Sequence, residues 1–394
     1  MRFGVNYTPR VGWFHAWLDL DPALVTDDMA AIREVGADHV RIFPLWPLLQ
    51  PNRRLIRPAA VDDVLRVVDI AGRAGLTVTV DALQGHLSSF DFLPAWVTTW
   101  HRRNLFTDVD VVSAQTELIR TLARELASRP HADGLSLGNE FIQFAARRHP
   151  QRSPLQAEQA GQWLRALFGA AREEWATGTL THSFDDDLWF DDTHPFIPAH
   201  AMLGDMTTVH AWIFMQVGPR YGSGHPALPL FARYLVELAR AWGGPERAIW
   251  LQEVGAPITH VPAAAAPAFV TDTIAHLTGL DGTPAAPNLE AITWWCSHDV
   301  SPELADFPEL EYSLGLIDST GAVKPTGQAF RAAADAARDC AASEPAAAGG
   351  SAVPRLTLPT AEPSLRSQAG PQSALFDQWW RLALAGPAPE LELP

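Results

Sequence analysis

Residues 135–141 read LSLGNEF, a short run of mostly apolar residues that ends in an amide and a carboxylate, Asn139 and Glu140. The run has the length of one strand, and a helical pattern, SAQTELIRTLARELASRP, precedes it. A helical pattern followed by a short apolar strand is typical of α/β folds with a parallel sheet. The stretch therefore predicts a buried strand with Asn139 and Glu140 at its carboxyl end.

Seven further apolar segments of strand length recur along the chain, with helical patterns in most of the gaps. They are FGVNY (3–7), HVRIFPLW (39–46), LTVTVDAL (76–83), TGTLTHS (177–183), MTTVHAW (206–212), AIWLQEVG (248–255) and AITWWCSHD (291–299). Such apolar runs suit strands that are buried on both faces of a parallel sheet. The gap 184–205 is rich in Asp, His and Pro and predicts a short helix at most. Eight strands that alternate with helices predict an α/β fold, the (β/α)8 TIM barrel.

A Pro- and Ala-rich extension follows the predicted barrel, which should occupy residues 1–340. Residues 341–372 are rich in Ala, Pro, Gly and Ser, a composition typical of a linker. Residues 373–394 begin with SALFDQWWRLALAG, whose apolar residues fall on or near one helical stripe. We expect this helix to dock on the barrel or on a neighbouring subunit, and the second arrangement would make a homo-oligomer.

The 394-residue chain is acidic, because 29 Lys and Arg against 45 Asp and Glu give a formal net charge of −16. Such a surface repels nucleic acid and anionic membranes, so a small neutral molecule is the expected partner. No apolar run of about 18 residues is present, which predicts no membrane span. Two cysteines in so long a chain, and a first segment (MRFGVNYTP) without an apolar signal-peptide core, predict a cytoplasmic protein.

Polar and aromatic side chains follow several predicted strands, at the end of a barrel where catalytic residues lie. They are Arg41, Asp81, His86, Asn139, Glu140, His210, Trp212, Glu253, Trp294, Trp295 and His298. Glu140 and Glu253 end the fourth and seventh strands, which lie across a barrel of eight, so their side chains can converge. Paired carboxyl groups perform glycoside hydrolysis, and in retaining enzymes they lie about 5–5.5 Å apart. The pattern therefore predicts a glycosidase with these two glutamates as its catalytic residues.

The same residues carry a resemblance to a known family. GNE after strand four and the glutamate of LQEVG after strand seven resemble the signature of clan A retaining glycoside hydrolases, and family 5 fits best. Arg41 in VRIFPLW, His210 and the tryptophan of strand eight are similar to the same pattern, and LGLIDSTGAVKPTGQAF resembles the end of those barrels. Four longer strings, GVNYTPRVGWFHAW, FPLWPLLQPN, QGHLSSFDF and WWCSHDV, resemble an intracellular bacterial β-mannosidase group acting on mannose-β-1,4-N-acetylglucosamine.

The resemblance implies a retaining exo-β-mannosidase that acts by double displacement. Glu140 would be the acid/base, Glu253 the nucleophile, and Asn139 would hydrogen-bond the 2-hydroxyl of the sugar. One departure from the family is that ALQG separates Asp81 from His86, which leaves open which of the two touches the sugar. The further substrate-binding residues expected are Arg41, Asp81, His86, His210, Trp212, Trp294 and Trp295.

Some of these residues have a second interpretation. Arg41 could instead be a structural ion-pair residue, and His210 a buried histidine satisfied by the backbone. Adjacent strand residues face opposite ways, so only one of Trp294 and Trp295 can stack under a sugar, and the sequence does not choose between them.

Two loops should limit how much of an oligosaccharide fits into the site. Residues 86–104 contain LSSFDFLPAWVTTW, whose aromatic side chains could close one side of the site. These are Phe90, Phe92, Trp96 and Trp100. Together with residues 184–205, this loop is expected to leave a pocket for a single terminal sugar.

The aspartate-rich stretch HSFDDDLWFDDTH (182–194) raises the alternative of a Ca²⁺ site, since Ca²⁺ prefers oxygen ligands. Its spacing does not match an EF-hand, so we expect a solvated or substrate-facing loop, with Asp185 or Trp189 contacting sugar at the rim. No metal and no cofactor are expected.

Three other functions remain as alternatives. An endo-β-mannanase or β-glucanase would use the same two glutamates on a polymer. A metal-dependent hydrolase would want a His-x-His motif after strand one, and VNYTP has none. A sugar-binding pseudoenzyme is disfavoured because both glutamates are present.

Overall fold

Eight parallel strands form one sheet in the computed structural model, which describes residues 1–342 and 353–394. The strands are β1 (Arg2–Asn6), β2 (His39–Ile42), β3 (Thr77–Asp81), β4 (Ala132–Asn139), β5 (Thr179–Ser183), β6 (Thr207–Ala211), β7 (Ile249–Val254) and β8 (Leu289–Trp294). Their hydrogen-bonded order is β5-β4-β3-β2-β1-β8-β7-β6. This order wraps the sheet into the (β/α)8 TIM barrel that the sequence predicts, and the prediction is confirmed.

The barrel closes between β5 and β6 through a side chain. The hydroxyl of Thr208 donates to the carbonyl oxygen of His182 at 2.6 Å and accepts from the backbone N–H of Phe184 at 3.2 Å. The backbone N–H of Asp205 also donates to the carbonyl oxygen of Leu180 at 2.8 Å. These bonds satisfy backbone groups that would otherwise form a free sheet edge.

Long helices follow most strands. They are α1 (Pro22–Glu34), α2 (Pro58–Arg73), α3 (Val109–Ala127), α4 (Ala157–Glu174), α5 (Ala227–Gly243), α6 (Ala266–Thr278) and α7 (Pro325–Ala342), with α8 (Ala374–Ala385) in the extension. The connection from β5 to β6 differs, because it holds only the short helix Asp187–Phe190 and the 3-10 helix Pro198–Met202. The sequence of this connection predicts the difference. None of the described helices is long and apolar enough to cross a membrane.

The C-terminal extension packs on the barrel of its own chain. In α8, the rings of Phe376 and Trp379 lie 4.8 and 5.1 Å from the ring of Tyr234 on α5. Strands Arg355–Thr357 and Glu390–Glu392 pair in parallel beside α5, where Nη2 of Arg240 donates to the carbonyl oxygen of Leu391 at 3.2 Å. Of the stretch predicted as a linker, residues 343–352 lie outside the described part of the chain. The division into barrel, linker and docking helix stays a prediction, as does a homo-oligomer.

Arg366 fastens the extension to the β5–β6 connection. Its side chain is only 1% exposed, and Nη2 donates to the carbonyl oxygens of His194 and Phe196, both at 3.1 Å. The neighbouring Ser367 donates to the carboxylate of Asp192 from its backbone N–H at 2.8 Å and from its hydroxyl at 2.5 Å. The extension thus covers the part of the barrel where the long helix is missing.

We expect Arg366→Ala to lower the free energy of unfolding by about 2–3 kcal/mol, because two buried carbonyl oxygens lose their charged donor. Urea unfolding followed by tryptophan fluorescence measures the change. The control is Arg331→Ala, whose side chain is 58% exposed, and it should stay within about 0.5 kcal/mol of the parent protein. Equal midpoints for both variants would show that Arg366 does not hold the extension.

Candidate active site

Arg41 is the centre of the hydrogen-bond network under the site. A guanidinium has five N–H groups, and here each has a partner on a different barrel strand. Nε donates to Asp81 at 2.5 Å, Nη1 to Asn6 at 3.1 Å and Glu253 at 2.8 Å, and Nη2 to Asn139 at 2.5 Å and Ser183 at 2.7 Å. The charge of Arg41 is fully buried, so its side chain has one arrangement, which holds Asn139 and Glu253 in place.

Glu253 lies at the end of β7 with donors on both carboxylate oxygens. Arg41 donates to Oε1, and the indole Nε1 of Trp212 donates to Oε2 at 3.1 Å. Burial and the charge of Glu140 raise the pKa of Glu253, and the charges of His210 and Arg41 offset only part of this rise. Two N–H donors directed at one carboxylate favour its ionised form, which is the form that attacks as a nucleophile.

Glu140 follows β4 in a left-handed backbone conformation, with φ 42° and ψ 29°. Its backbone N–H donates to the carbonyl oxygen of Ser183 at 3.0 Å, and the 3-10 helix Phe141–Ala145 begins directly after it. This conformation is uncommon outside glycine and costs about 1 kcal/mol or more. The turn allows Glu140 to face the cavity although Asn139 remains on the strand.

His210 stands between the two glutamates. Its Nδ1 lies 2.7 Å from Oε1 of Glu140 and 3.3 Å from Oε2 of Glu253, while Nε2 lies 3.1 Å from Oε1 of Gln252. Burial lowers the pKa of His210, but the charge of Glu253 and the hydrogen bond to Glu140 raise it by more. Burial raises the pKa of Glu140, and the hydrogen bond and charge of His210 lower it by more. These opposite shifts favour a charged, hydrogen-bonded pair in which His210 carries the proton and Glu140 is ionised.

A cavity of about 480 Å³ opens above these residues. It is lined by Asn139, both glutamates, Trp212 and Trp295, together with residues of the loops after β3, β4, β5, β6 and β8. The loop residues are His86, Leu87, Ser88, Ser89, Asp91, Gln143, Arg148, His149, Pro150, Asp185, Asp186, Phe214, Met215, Pro308, Leu310 and Glu311. Gly255 lets the two tryptophans approach, since a Cβ there would lie 2.9 Å from the carbonyl oxygen of Trp295 and 3.0 Å from the Trp212 ring.

Trp294, the last residue of β8, and Trp295, which follows it, have different surroundings. Trp295 lines the cavity, and its indole Nε1 donates to Oε2 of Glu311 at 3.2 Å. Trp294 points outward, with its ring 6.5 Å from Phe269 and 6.4 Å from Phe330 on the surrounding helices. Trp294 is thus a core residue and not a site residue, because neighbouring residues of a strand face opposite sides.

The other predicted residues also fall into two groups, those that line the cavity and those that do not. His86 lines the cavity, whereas Asp81 lies beneath it and bonds Arg41. His298 is buried away from the cavity, and its Nδ1 lies 3.2 Å from the carbonyl oxygen of Thr8. At the rim, Asp185 lines the cavity and Trp189 does not.

The aromatic loop after β3 closes less of the site than its sequence predicts. Phe90 and Phe92 pack against Phe14, with ring centres 5.7 and 4.8 Å from it. The indole of Trp96 donates to the carbonyl oxygen of Gln50 at 2.9 Å. Trp100 is fully exposed, so the expectation that it closes the site is wrong.

No sequence pattern singles out two of the acidic residues that line the cavity, Glu311 and Asp186. Glu311 lies in the acidic stretch PELADFPELEYS, which resembles a solvated loop, yet it is buried beside Trp295. Burial raises the pKa of Glu311 to about 7. Asp186 lies inside the aspartate-rich stretch and could be singled out only by its surroundings.

Three groups among the described residues have ligand atoms close enough to hold a metal ion. They are His86–Asp91–His149, Glu140–His210–Glu253 and Asp185–Asp186–Asp187. In the first group, one carboxylate oxygen of Asp91 lies 2.9 Å from Nδ1 of His86 and 3.3 Å from Nε2 of His149, as in ordinary hydrogen bonds. The absence of a metal stays a prediction.

Comparison with known proteins gives a consistent group of solved structures. Protein-family models and curated proteins gave no match. A glutamate-to-alanine variant of a GH5_18 protein from Streptomyces cattleya, in complex with Manβ1-4GlcNAc, is 49% identical over 100% of this chain and 94% of its own, with a TM-score of 0.92. A GH5_18 protein from Bifidobacterium longum subsp. infantis is 45% identical over 100% and 91%, also with a TM-score of 0.92. An exo-β-1,4-mannosidase from Opitutaceae bacterium strain TAV5, 21% identical over 100% and 69% with a TM-score of 0.78, shares the fold.

Proposed function

Because this chain belongs to glycoside hydrolase family 5, subfamily 18 (GH5_18), we propose that it is a retaining exo-β-mannosidase. Its substrates would be small oligosaccharides with a terminal β-linked mannose, such as mannose-β-1,4-N-acetylglucosamine. Two GH5_18 structures, from Streptomyces cattleya and Bifidobacterium longum subsp. longum, contain this disaccharide, which supports the substrate. The cavity of about 480 Å³ lies within the range of pockets for small molecules.

The placement of the two glutamates carries the proposal. A carboxylate oxygen of Glu140, one of Glu253 and a ring nitrogen of His210 all lie within 4.8 Å of one another. Retaining glycosidases have carboxyl groups about 5–5.5 Å apart, whereas inverting enzymes need about 6.5–9.5 Å to admit a water molecule. The short separation favours double displacement.

In the first step, Glu253 attacks the anomeric carbon while Glu140 protonates the leaving oxygen. Glu140 must carry a proton for this step, and His210, whose Nδ1 lies 2.7 Å from Oε1 of Glu140, would supply it. A mannosyl ester on Glu253 results, and the leaving sugar departs. In the second step Glu140 takes a proton from water, whose oxygen attacks the anomeric carbon and releases mannose with its original configuration.

The remaining residues orient the sugar. The amide of Asn139 accepts from Arg41 and donates one N–H to the carbonyl oxygen of His86 at 3.3 Å, so its second N–H is available to the 2-hydroxyl. The indole face of Trp295 would stack under the pyranose. Hydrogen bonds to the 2-hydroxyl strengthen as positive charge develops on the sugar ring, which lowers the barrier.

A cytoplasmic location is part of the proposal. Both cysteines, the buried Cys296 and the exposed Cys340, are free, as expected for a protein in a reducing compartment.

An endo-β-mannanase or β-glucanase is the second candidate, because it would need the same pair of glutamates.

One product analysis distinguishes the candidates. Proton NMR of mannose-β-1,4-N-acetylglucosamine hydrolysis should show β-mannose first, because two inversions restore the configuration. Mannohexaose, where it is cut, should release mannose alone from the start. Early mannotriose without free mannose would indicate an endo-enzyme, and prompt α-mannose would exclude Glu253 as nucleophile. Denatured enzyme is the control for spontaneous hydrolysis, and free mannose in the same buffer is the control for mutarotation.

A further inference from the structure

Gln252 lies on β7 directly before Glu253, at an irregularity in the sheet. Val209 of β6 pairs with Leu251 of β7, and the next residue of β6, His210, pairs with Glu253. β7 therefore has one residue more than β6 between the two pairs, and this residue is Gln252. Such a bulge redirects side chains and is common beside active sites. Here Gln252 and Glu253 both contact His210.

The hydrogen-bond network under the site holds this bulge. The side-chain amide of Asn6 donates to the backbone carbonyl oxygen of Gln252 at 3.0 Å and to that of Trp294 at 3.2 Å, and its amide oxygen accepts from Arg41. The side chain of Gln252 is fully buried, and its Nε2 has no hydrogen-bond partner among the described residues. Stability alone does not explain this side chain, because a buried amide with an unsatisfied N–H is less favourable than an apolar group of the same size.

The two ring nitrogens of His210 face different groups. Nδ1 lies 2.7 Å from Oε1 of Glu140 and 3.3 Å from Oε2 of Glu253, whereas Nε2 lies 3.1 Å from Oε1 of Gln252. A protonated imidazole has an N–H on both nitrogens, so the group beside Nε2 must be an acceptor. The amide oxygen of Gln252 is this acceptor. When Nδ1 gives its proton to Glu140, the neutral ring keeps its remaining proton on Nε2, where Gln252 accepts it.

Without this acceptor the neutral ring would prefer the other tautomer. The carboxylates of Glu140 and Glu253 both lie on the Nδ1 side of His210, and ionised carboxylates favour a proton there. A neutral ring with its only proton on Nδ1 cannot pass that proton to Glu140, because an imidazolate would result. The acceptor beside Nε2 therefore decides whether His210 can supply the proton for catalysis.

We propose that Gln252 fixes the tautomer of His210, so that Nε2 keeps its proton throughout turnover and Nδ1 alone exchanges a proton with Glu140. In the first step the N–H bond at Nδ1 breaks as an O–H bond forms on Glu140, which passes the proton to the leaving oxygen. In the second step the proton that Glu140 takes from water returns to Nδ1. Gln252 is a positioning residue, because it does not line the cavity. This inference rests on the proposed function, which it extends to the supply of the proton.

Gln252→Met removes the acceptor at nearly constant size. The charged form of His210 loses a hydrogen bond, so its pKa falls and the pair with Glu140 loses its proton at lower pH. The high-pH limb of kcat/KM for mannose-β-1,4-N-acetylglucosamine should move about one pH unit lower, while the low-pH limb stays in place. At the optimum of the parent protein, kcat/KM should fall about tenfold on this disaccharide but less than about threefold on a dinitrophenyl β-mannoside, whose leaving group needs no proton.

The charged and titratable side chains around His210 stay the same in this variant. They are Arg41 on β2, Glu140 after β4, His182 on β5, Asp186 after β5 and Glu253 on β7. The matched control is Gln115→Met, which removes an equally buried glutamine from α3, where its side chain bonds Leu105 and Trp163. A loss of packing alone should leave both limbs of the pH profile and the ratio between the two substrates unchanged.

Nitrogen-15 NMR of histidine-labelled protein reads the tautomer without any substrate, so it also decides where failure to hydrolyse any β-mannoside disproves the proposed function. The signals of His210 are those missing from His210→Asn. At a pH where the ring is neutral, its proton should lie on Nε2 in the parent protein and on Nδ1 in Gln252→Met. Gln252→Glu keeps an acceptor oxygen and should return the proton to Nε2.

Three results would overturn the inference. They are a proton on Nδ1 in the parent protein, a proton on Nε2 in Gln252→Met, and equal losses on both substrates with an unmoved high-pH limb. The spectrum of the parent protein decides even where Gln252→Met does not fold.

Discussion

Glu253→Ala should lower kcat on every β-mannoside by roughly 10⁴-fold or more, the scale of loss seen when a covalent nucleophile is removed. The cause is that Glu253 would supply the oxygen that attacks the anomeric carbon, and alanine has no group that can replace it. Azide is small enough to occupy the space left by the side chain and should attack an activated aryl β-mannoside there. Because this is a single displacement, the product should be α-mannosyl azide, which proton NMR identifies.

The matched control is Glu290→Ala, which removes an exposed glutamate from β8, far from the cavity lining, and should retain parent activity. Removing Glu253 also takes a partner from Arg41, so far-UV circular dichroism must show an intact fold. A β-linked azide product, or activity within tenfold of the parent, would contradict the assignment.

Glu140→Ala should separate substrates by their leaving groups. Hydrolysis of mannose-β-1,4-N-acetylglucosamine should fall about 10²–10⁴-fold, because its leaving oxygen needs a proton. The first step on a dinitrophenyl β-mannoside should be nearly unaffected, since that leaving group departs as an anion. Without a base the mannosyl ester on Glu253 should accumulate, which stopped-flow kinetics detect as a burst.

Azide distinguishes the two glutamate variants further. In Glu140→Ala it should attack the mannosyl ester from the opposite face and give β-mannosyl azide, in contrast to the α-linked product of Glu253→Ala. Glu140→Gln is the conservative control, because it keeps the size of the side chain and its contact with His210 but cannot act as acid or base. Equal losses of both alanine variants on all substrates would mean that the roles are wrong.

The eight strands and the two glutamates could be predicted from the sequence because the pattern that indicates each of them lies within a few consecutive residues. A strand buried on both faces is a continuous apolar run, and a carboxylate directly after such a run is unusual enough to notice. LSLGNEF and AIWLQEVG each contain the whole signal, and the alternation of strands and helices then places Glu140 and Glu253 at the same end of the barrel. The family resemblance rests on the same short stretches.

Contacts between distant parts of the chain required the tertiary structure. The five partners of Arg41 come from five strands that span residues 6 to 253, and no local pattern pairs them. The choice of Trp295 over Trp294 depends on how β8 meets its neighbours, since a shift of one residue would exchange the two rings. The contacts by which Thr208 closes the barrel and Arg366 anchors the β5–β6 connection also join residues that are distant in the chain.

Glu311 and Asp186 mark the limit of what the sequence determined. Both lie in acidic loops without periodicity, where charged residues are ordinarily solvated, and the fold buries both in the cavity wall. The sequence alone determined the barrel and the position of Glu140 and Glu253 at the ends of two of its strands, because strand patterns and strand ends are local. Only the tertiary structure decided which loop carboxyls border the cavity, because the burial of a side chain depends on elements that lie far away in the chain.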